Sequence, residues 1–398
     1  MSFWGTKKSQ KVVTDNDIKL GHGFKTFILP LEEKFHQDAY KQYDLFGCLL
    51  EPCSKTELSR LPVQYLDYQA EAIILRKLVS SLSFTTNIEE ADLVLVPALS
   101  ITISWHHQYA SGDRFSGCRA KGYCMKKEFE NLKELIKVSR ESGKKHLLLA
   151  TQDSSQNHRI IQEFDNDSNI AVATFGPSKL VVPSLNPATW LQPSLRKGAK
   201  PIAERAVFLS ANFGRSDSNF PDRQITVKQL DAYSGSKNIT TSFSADLLDT
   251  IFVACFPGDL PFQKRFFDTM LSGAIPVVVK REYDFGVSYW DMDTNHGLFF
   301  SAKNVPKTNP ANLPTIENSL PFSKKIPYDK LVVEVTPEIL KEGKLMEFLE
   351  AIPMADIEAR ISLIEEVRNL FVYDFSGSSH DAFSIMLESV AEWVNKAV

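Results

Sequence analysis

The sequence has no long apolar run and no excess of charge of one sign, and both absences exclude classes of protein. No stretch approaches the ~18–20 consecutive apolar residues of a membrane span, and no signal-peptide core is visible near the start. A formal net charge of −4 gives no electrostatic footprint for nucleic acid or for a membrane surface. The hydrophobic content of 43% is too high for a disordered chain. With 398 residues, the sequence favours a globular protein of about two or three domains.

Cysteine is scarce as well, which argues against a disulfide framework. The five cysteines, Cys48, Cys53, Cys118, Cys124 and Cys255, are odd in number and lack the spacing of a metal site. The spacing allows Cys48–Cys53 and Cys118–Cys124 pairs, but free thiols are the expectation. The sequence also lacks a P-loop, a glycine-rich dinucleotide fingerprint, and the H-E-x-x-H, C-x-x-C, G-x-S-x-G and EF-hand patterns. Hydrolases and structural metal proteins therefore have no support.

What the sequence does contain is an alternation of apolar runs and amphipathic helices, typical of a mostly parallel sheet covered by helices. Strands are predicted at 24–31, 91–99, 144–150, 169–175, 179–184, 205–214, 249–258 and 274–279, and helices at 67–82, 128–143, 222–233 and 262–272. Segment 185–204 is the expected linker, and 303–327 the expected loop. Two apolar stripes predict two C-terminal helices: Ile357, Ile361, Ile364 and Val367, then Phe383, Met386, Leu387 and Val390.

Segment 249–279, DTIFVACFPGDLPFQKRFFDTMLSGAIPVVV, has the pattern of a strand, a Pro-Gly turn, a helix and a second strand. A turn that leads into a helix N-terminus offers backbone N–H groups to an anion, and the helix dipole favours negative charge there. Arg265 stands in the first turns of this helix, where the dipole disfavours a cation unless an anion is bound. Asp268 lies near the same face, and its carboxylate can accept both hydroxyls of a ribose. The spacing fits a nucleoside-diphosphate pocket, and it also fits a surface Arg–Asp pair.

The same region, extended to GDLPFQKRFFDTMLSGAIPVVVKREYDFGVSYW, resembles the signature of the exostosin-like glycosyltransferases (glycosyltransferase family 47). The shared pattern is a Pro/Gly turn, an Arg-x-x-acid helix, an Ile/Val-Pro-Val strand, an aromatic–acidic loop and a Trp. Three more segments resemble the family in the right order: YQAEAIILRKLVSSLSFTTNIEEADLVLVPAL, RAVFLSANFGR and RISLIEEVRNLFVYDFSGSSHDAFSIML. The resemblance therefore covers nearly the whole chain from about residue 24.

This resemblance implies an α/β fold of the GT-B type, in which two Rossmann-like domains face a cleft and C-terminal helices close the structure. It divides the chain into a flexible lead (1–23), an acceptor domain (24–200), a nucleotide-sugar-binding domain (201–350) and helices that pack back across the domains (351–398). The implied donor is a nucleotide-diphospho-sugar, usually a UDP-sugar. The implied reaction inverts the anomeric centre, transfers the sugar to a hydroxyl of a glycan or glycoconjugate, and needs neither cofactor nor essential metal. No nucleic-acid partner is expected, and the oligomeric state stays open.

The family's functional residues can be carried over by position. Arg265 would bind the diphosphate and Asp268 the ribose, with Arg215 as a second cation at the phosphates. Asp284 matches an acidic position beside the donor sugar and is a candidate catalytic residue. The other expected donor-site residues are Asn212, Gly258, Lys264 and Tyr283.

The sequence also departs from the family pattern. Val253 and Ala274 stand where the family often has two cysteines, and their joint replacement favours a reducing compartment. Leu180 stands where the family commonly has Asp, which puts in doubt any contact that this carboxylate makes. The loop reads DFGV where the family has Leu-Pro-Phe, so sugar specificity is expected to differ.

An inverting transfer needs a base for the acceptor hydroxyl, and such a base is worth roughly 10²–10⁴ in rate. We expect it in the N-terminal half, just after the carboxyl end of a strand. Asp153, which follows the 144–150 strand, is the first choice, and His106, beside His107, is the second. Both also fit plain structural roles, Asp153 as a turn or helix cap and His106 as a loop histidine.

Other functions stay open at this stage. Asp291-Met-Asp293 has the D-x-D pattern of metal sites in another glycosyltransferase fold, but the same spacing recurs at 15–17 and 165–167. The chain could also be a catalytically inactive pseudo-glycosyltransferase that binds a glycan or supports a partner subunit, or a related epimerase or phosphorylase. We expect a cytoplasmic protein if the chain is complete, and a Golgi-lumen protein if an N-terminal anchor was removed.

Overall fold

The structure is a computed structural model, and it has two parallel sheets. It describes residues 24–30, 74, 77–78, 82–96, 133–134, 136–149, 164, 167–174, 180–182, 200–213, 221–241, 247–256, 264–279, 320–373 and 380–396. All strand pairs among these residues are parallel. The predicted α/β class is therefore confirmed. None of the helices in this part of the chain is long and apolar enough to cross a bilayer.

The N-terminal sheet has six strands in the order β2-β1-β3-β4-β5-β6. They are β1 (Lys25–Ile28), β2 (Ser83–Phe84), β3 (Leu93–Val96), β4 (Lys145–Leu149), β5 (Ile170–Thr174) and β6 (Leu180–Val181). Successive side chains of β3 enter different apolar clusters, Leu93 and Leu95 one, Val94 and Val96 the other, because side chains alternate across a strand. Burial on both faces explains why this strand is an unbroken apolar run in the sequence.

The C-terminal sheet has five strands in the order β11-β10-β9-β7-β8. They are β7 (Val207–Ser210), β8 (Ile239–Thr240), β9 (Thr250–Ala254), β10 (Ile275–Val279) and β11 (Val333–Val335). The first connection, from β7 to β8, passes through helix α1 (Pro221–Asp231). The connection from β9 to β10 passes through helix α2 (Lys264–Ser272).

Both sheets follow the same rule of strand order. In each, the chain goes from the first strand to an outer neighbour, then returns to the other side of the first strand and continues outward. The reversal creates a crevice between the first and third strands, outside their carboxyl ends, and open α/β sheets bind ligands there. In the C-terminal sheet this switch point lies between β7 and β9.

The C-terminal segment is helical and closes the core. Its helices are α3 (Tyr328–Leu331), α4 (Pro337–Lys341), α5 (Leu345–Glu350), α6 (Met354–Val367) and α7 (Ala382–Asn395). The predicted stripes are confirmed, since Ile357, Ile361 and Ile364 of α6 are buried. The whole predicted stripe of α7 is buried too. Side chains of both sheets and both stripes belong to one continuous cluster of buried hydrophobic residues.

Helix α7 is attached to the N-terminal half at both of its ends. Asp381 caps its first turn through Ser384 N (2.9 Å) and pairs with Lys77 Nζ (3.0 Å). At the other end, Lys145 Nζ donates to the carbonyls of Trp393 (2.7 Å) and Lys396 (2.6 Å). These contacts join α7 to residues of the N-terminal sheet and of the segment before it.

Other sequence expectations hold with small corrections. Gly143 has φ +70°, as a residue that ends a helix does. The expected loop at 303–327 is only partly described, and its last residues form turns that bury Leu320, Phe322 and Ile326 in the core. The expected linker at 185–204 ends in a short 3₁₀ helix, Ile202–Glu204, rather than in extended chain.

Candidate functional site

The strand–turn–helix–strand pattern of segment 249–279 is confirmed wherever the structure describes it. Helix α2 buries Phe266, Phe267 and Met270 against the core. It ends in a Schellman motif, in which Gly273 has φ +72° and its N–H bonds to the Met270 carbonyl at 3.1 Å. The N–H of Ala274 bonds to the Thr269 carbonyl at 3.2 Å. This tight ending leads the chain directly from α2 into β10, so it fixes the end of α2 relative to that strand.

Arg265 lies at the start of α2, in the second helical position, and its side chain is partly buried. Burial lowers the pKa of Arg265, and the nearby Cys255 and Asp268 offset part of that effect. The guanidinium stays charged at neutral pH, because an arginine pKa begins above about 12. A charged group is therefore held, partly desolvated, at the positive end of a helix dipole.

Asp268 is paired with Lys264, a contact that the spacing of Arg265 and Asp268 does not indicate. Its two carboxylate oxygens accept hydrogen bonds from Lys264 Nζ at 2.7 Å and 3.0 Å, an i,i+4 pair. Both side chains stay partly exposed. The two expected donor-site residues Lys264 and Asp268 are therefore together, and a ribose that binds Asp268 would share it with Lys264.

Cys255 follows β9 and lies beneath this edge of the sheet as a free, buried thiol. Burial raises the pKa of Cys255 to about 12, although Thr269 and Arg265 act in the opposite direction. Its Sγ lies 3.5 Å from Thr269 Oγ1, which donates to the Arg265 carbonyl at 2.7 Å. The thiol is thus neutral at physiological pH and serves as a small apolar residue.

Asn212 lies on the neighbouring strand end, two residues after β7, as expected of a donor-site residue. Its side chain is only 7% exposed. Its Oδ1 is buried and has no hydrogen-bond partner among the residues that the structure describes. Leaving such an acceptor unsatisfied costs roughly 1–3 kcal/mol. A ligand that brings a hydroxyl or N–H group to this crevice would remove that cost.

Arg223 also reaches this edge, although no pattern in the sequence indicates that it does. It belongs to the first turn of α1 and is 6% exposed. Its Nη2 donates to the Phe256 carbonyl at 3.2 Å, and its guanidinium lies over the Phe213 ring, 5.4 Å from the centroid. The rings of Phe213 and Phe256 stack at 5.6 Å with 28° between their planes. Arg223 thus bridges the chain ends that leave β7 and β9.

These groups converge on the β7/β9 switch point. Beyond the dominant effect of burial, the charges of Arg265 and Arg223 both lower the Cys255 pKa, so both arginines act on one point of the sheet edge. An anion bound at this edge would be attracted by both guanidinium charges. Arginine presents a planar fork of donors that matches phosphate oxygens. The arrangement is suited to hold a phosphate-bearing ligand.

Six of the residues singled out in the sequence lie outside the described residues: Asp153, His106, Asp284, Arg215, Gly258 and Tyr283. Their assignments stay predictions, as does the D-x-D pattern at 291–293. Where the structure does describe the chain, no three His, Cys, Asp or Glu side chains come together as a metal site would require. Leu180 of β6 is 6% exposed and belongs to the apolar core.

Comparison with known proteins agrees with the resemblance seen in the sequence. The model of the exostosin GT47 domain matches residues 20–351, well over half of the chain. The chain therefore belongs to the exostosin GT47 family, which is a family of glycosyltransferases. Helices α6 and α7 lie beyond the matched residues. A search of curated proteins found no match.

Proposed function

We propose that the protein is an inverting glycosyltransferase of GT-B architecture that takes its sugar from a UDP-sugar and needs no metal. The acceptor is a hydroxyl of a glycan or glycoconjugate. The crevice at the β7/β9 switch point holds the nucleotide diphosphate, and the N-terminal half presents the acceptor. The observation that carries this proposal is the match of the exostosin GT47 domain over residues 20–351, and the partly buried Arg265 at the start of α2, in the matched region, supports it.

The donor site follows from the positions of four side chains. Arg265 and Arg223 bind the diphosphate oxygens from the two sides of the switch point. Asp268, steadied by Lys264, accepts the ribose hydroxyls. Asn212 Oδ1 takes a hydrogen bond from the donor, which satisfies a buried acceptor. Arg215 is expected to add a third cation from the chain that follows β7.

The same cations explain how the chemical step is accelerated without a metal. As the bond between the sugar and the diphosphate breaks, negative charge grows on the leaving group. Two arginines that are already fixed by the fold stabilise that charge without reorganising, which is electrostatic preorganisation. A divalent metal supplies the same stabilisation in other enzymes, so the arginines take its place.

The base that activates the acceptor is assigned to Asp153. It comes four residues after β4 in the sequence, and the carboxyl edge is the ligand-binding edge of such sheets. A carboxylate there can remove the proton of the acceptor hydroxyl while the sugar is attacked from the face opposite the diphosphate. His106 is the second candidate for this role. Asp284 is assigned to the donor sugar.

A thermal-shift panel tests the proposal. Purified protein is heated with UDP, GDP, ADP, CMP or dTDP, each with and without EDTA, because a ligand of the native state raises the unfolding midpoint by mass action. We expect a shift with UDP that is larger than with the other nucleotides and that EDTA does not change. A shift that EDTA abolishes would contradict metal independence. No shift with any nucleotide would contradict donor binding and favour a non-catalytic subunit.

A further inference from the structure

Asn212 lies beside Cys255 at the β7/β9 switch point, because the pairing of the two strands sets the positions that follow it. Ser210, the last residue of β7, pairs with Val253 in β9. Two residues further along each chain, the same register places Asn212 next to Cys255. Side chains alternate between the two faces along a strand, so residues in register share a face. Asn212 and Cys255 are therefore on one face of the sheet.

The next position along both chains agrees with this register. Phe213 follows Asn212 and Phe256 follows Cys255, and the two rings stack at 5.6 Å with 28° between their planes. Because side chains alternate, these rings mark the opposite face, and Arg223 lies over the Phe213 ring there. Asn212 thus belongs to the other face from Arg223.

The face that Asn212 shares with Cys255 is the one that helix α2 covers. Cys255 Sγ lies 3.5 Å from Thr269 Oγ1, and Thr269 Oγ1 donates to the Arg265 carbonyl at 2.7 Å. Thr269 and Arg265 both belong to α2, as does Asp268. Asn212 is therefore on the same side of the sheet as the helix that carries the diphosphate and ribose contacts of the proposed donor site.

The chemistry of the Asn212 side chain restricts what it can bind. The residue is 7% exposed, and within the described part of the chain its Oδ1 has no hydrogen-bond partner. An amide oxygen only accepts hydrogen bonds, so it needs an O–H or N–H group. The oxygens of an ionised diphosphate are acceptors too and cannot satisfy it. The partner of Oδ1 is therefore a different part of the donor.

The order of the strands indicates which part that is. A nucleotide-diphospho-sugar has the order nucleoside, diphosphate, sugar. The strands have the order β10-β9-β7, and α2 connects β9 to β10. In the proposed site, α2 binds the ribose through Asp268 and the diphosphate through Arg265. A donor that continues across the end of β9 brings its sugar to the end of β7, where Asn212 lies.

We propose that Asn212 is a sugar-binding residue: its Oδ1 accepts a hydrogen bond from a hydroxyl of the sugar that is transferred. This inference rests on the proposed function, since it assumes that a UDP-sugar binds at this edge with its diphosphate at Arg265. It predicts that Asn212 contributes to the affinity for a UDP-sugar and not to the affinity for UDP.

The test compares UDP-sugars with UDP, because the difference isolates the sugar. Calorimetry without acceptor measures the affinities for UDP, UDP-galactose, UDP-xylose, UDP-arabinose and UDP-glucuronic acid. Asn212→Leu replaces the amide by an apolar group of similar size. We expect its affinity for the UDP-sugar that the wild type binds most tightly to fall about tenfold, or about 1.4 kcal/mol, with UDP affinity unchanged. If the leucine variant does not fold, Asn212→Ala serves the same test.

The unfolding midpoint without ligand gives a second measurement. Asn212→Leu removes a buried acceptor that has no partner in the described structure, so the midpoint is expected to stay the same or to rise. A residue that only stabilises the fold would lower it when replaced.

A matched control lies on the same strand. Ser210 is fully buried, and its Oγ likewise has no partner among the described residues. It belongs to β7 itself and not to the chain beyond its end. Ser210→Ala is therefore expected to keep the wild-type affinities for UDP and for the UDP-sugars. A selective loss of UDP-sugar affinity in Ser210→Ala as large as in Asn212→Leu would overturn the proposal.

Each contrary outcome has a distinct meaning. Equal losses of UDP and UDP-sugar affinity in Asn212→Leu would overturn the sugar contact and place Asn212 at the nucleotide. An unchanged UDP-sugar affinity would overturn it as well, while leaving the proposed function intact. If the wild-type protein binds neither UDP nor any of the UDP-sugars, the proposed function fails, and the role of Asn212 fails with it.

Discussion

Buried cations lie at the amino ends and at the carboxyl ends of the strands, but the two groups of cations contact different partners. At the amino ends of the C-terminal strands, Arg205 donates to the carbonyls of Lys200, Thr250 and Gly273 at 2.9–3.1 Å. At the amino end of β4, Lys145 likewise donates to carbonyls of the α7 terminus. These cations tie strand ends and helix ends together, so their charge is used by the fold itself.

The carboxyl ends of the C-terminal strands show the other pattern. Arg223 donates to the Phe256 carbonyl and lies over the Phe213 ring, and Arg265 is partly exposed. Both of these cations belong to the first turn of a helix, where the helix dipole does not favour a positive charge. The environment of a buried arginine, and not its burial alone, therefore separates a structural role from a ligand-binding one.

The largest effect is expected on turnover, when the candidate base Asp153 is replaced. Strand β4 carries the structural Lys145 at its amino end, and Asp153 follows its carboxyl end. Asp153→Asn is expected to keep donor binding and to lower turnover by about 10²–10⁴, because the amide cannot accept the acceptor's proton. Steady-state rates with a UDP-sugar panel and UDP calorimetry measure the two properties separately. A rate near that of the wild type would place the base elsewhere, with His106 next.

Replacement of Arg205 is expected to have an effect of intermediate size, on stability and not on UDP binding. Arg205→Met removes the donors of three backbone carbonyls and is expected to lower the free energy of unfolding by about 3 kcal/mol. Urea denaturation measures this loss. The folded variant is expected to bind UDP as the wild type does. If Arg205→Met is as stable as the wild type, or if it folds but no longer binds UDP, the cations at the amino ends and at the carboxyl ends would not differ in role.

The smallest effect concerns pH and the histidine next to Lys145. His146 Nδ1 donates to the Lys144 carbonyl at 2.8 Å, and Nε2 lies 2.7 Å from the Ser139 hydroxyl. Burial lowers the pKa of His146, an effect that the Lys144 bond partly offsets. The unfolded chain therefore binds a proton more readily, with a pKa near 6.5. Stability is expected to be full above that pH and to fall below it, by up to about 1.4 kcal/mol per pH unit, until the folded pKa is reached.

The control for this prediction is His146→Gln, which removes the titrating group and keeps a polar side chain. Urea unfolding from about pH 5 to about pH 8 in both proteins isolates the histidine contribution, since all other groups titrate alike. The variant is expected to lose the extra slope below about pH 6.5. Identical slopes in the two proteins would mean that His146 protonates without penalty.

Much of the fold could be predicted from the sequence, and the exceptions share a cause. The long apolar runs gave β3, β4, β5, β9 and β10, all central or well-paired strands. The strands that were not predicted, β2, β8 and β11, all lie at sheet edges and have two or three residues; the fourth edge strand, β6, is equally short but lies in the predicted apolar run at 179–184. Edge strands are commonly short, and so short a segment has no period to recognise.

The candidate site was predictable only in part, because its contacts join distant parts of the chain. Arg265 and Asn212 follow from motif and position. Arg223 does not, since α1 is mostly polar and an arginine there looks like part of a solvent-facing surface. Its burial depends on Phe256, 33 residues further along the chain. Likewise, the pairing of Lys264 with Asp268 depends on side-chain direction, which spacing alone leaves open.

The UDP affinity of Arg265→Met, measured by calorimetry beside the wild type and Arg205→Met, tests whether the carboxyl edge of the C-terminal sheet binds the donor. Losing a charged hydrogen-bond donor to phosphate is expected to weaken UDP binding about 10- to 100-fold. The free energy of unfolding is expected to stay within about 1 kcal/mol of the wild type. Weaker UDP binding with unchanged stability in Arg265→Met, together with lower stability and unchanged UDP binding in Arg205→Met, would establish the carboxyl edge as the donor site. Unchanged UDP affinity in Arg265→Met would contradict the account.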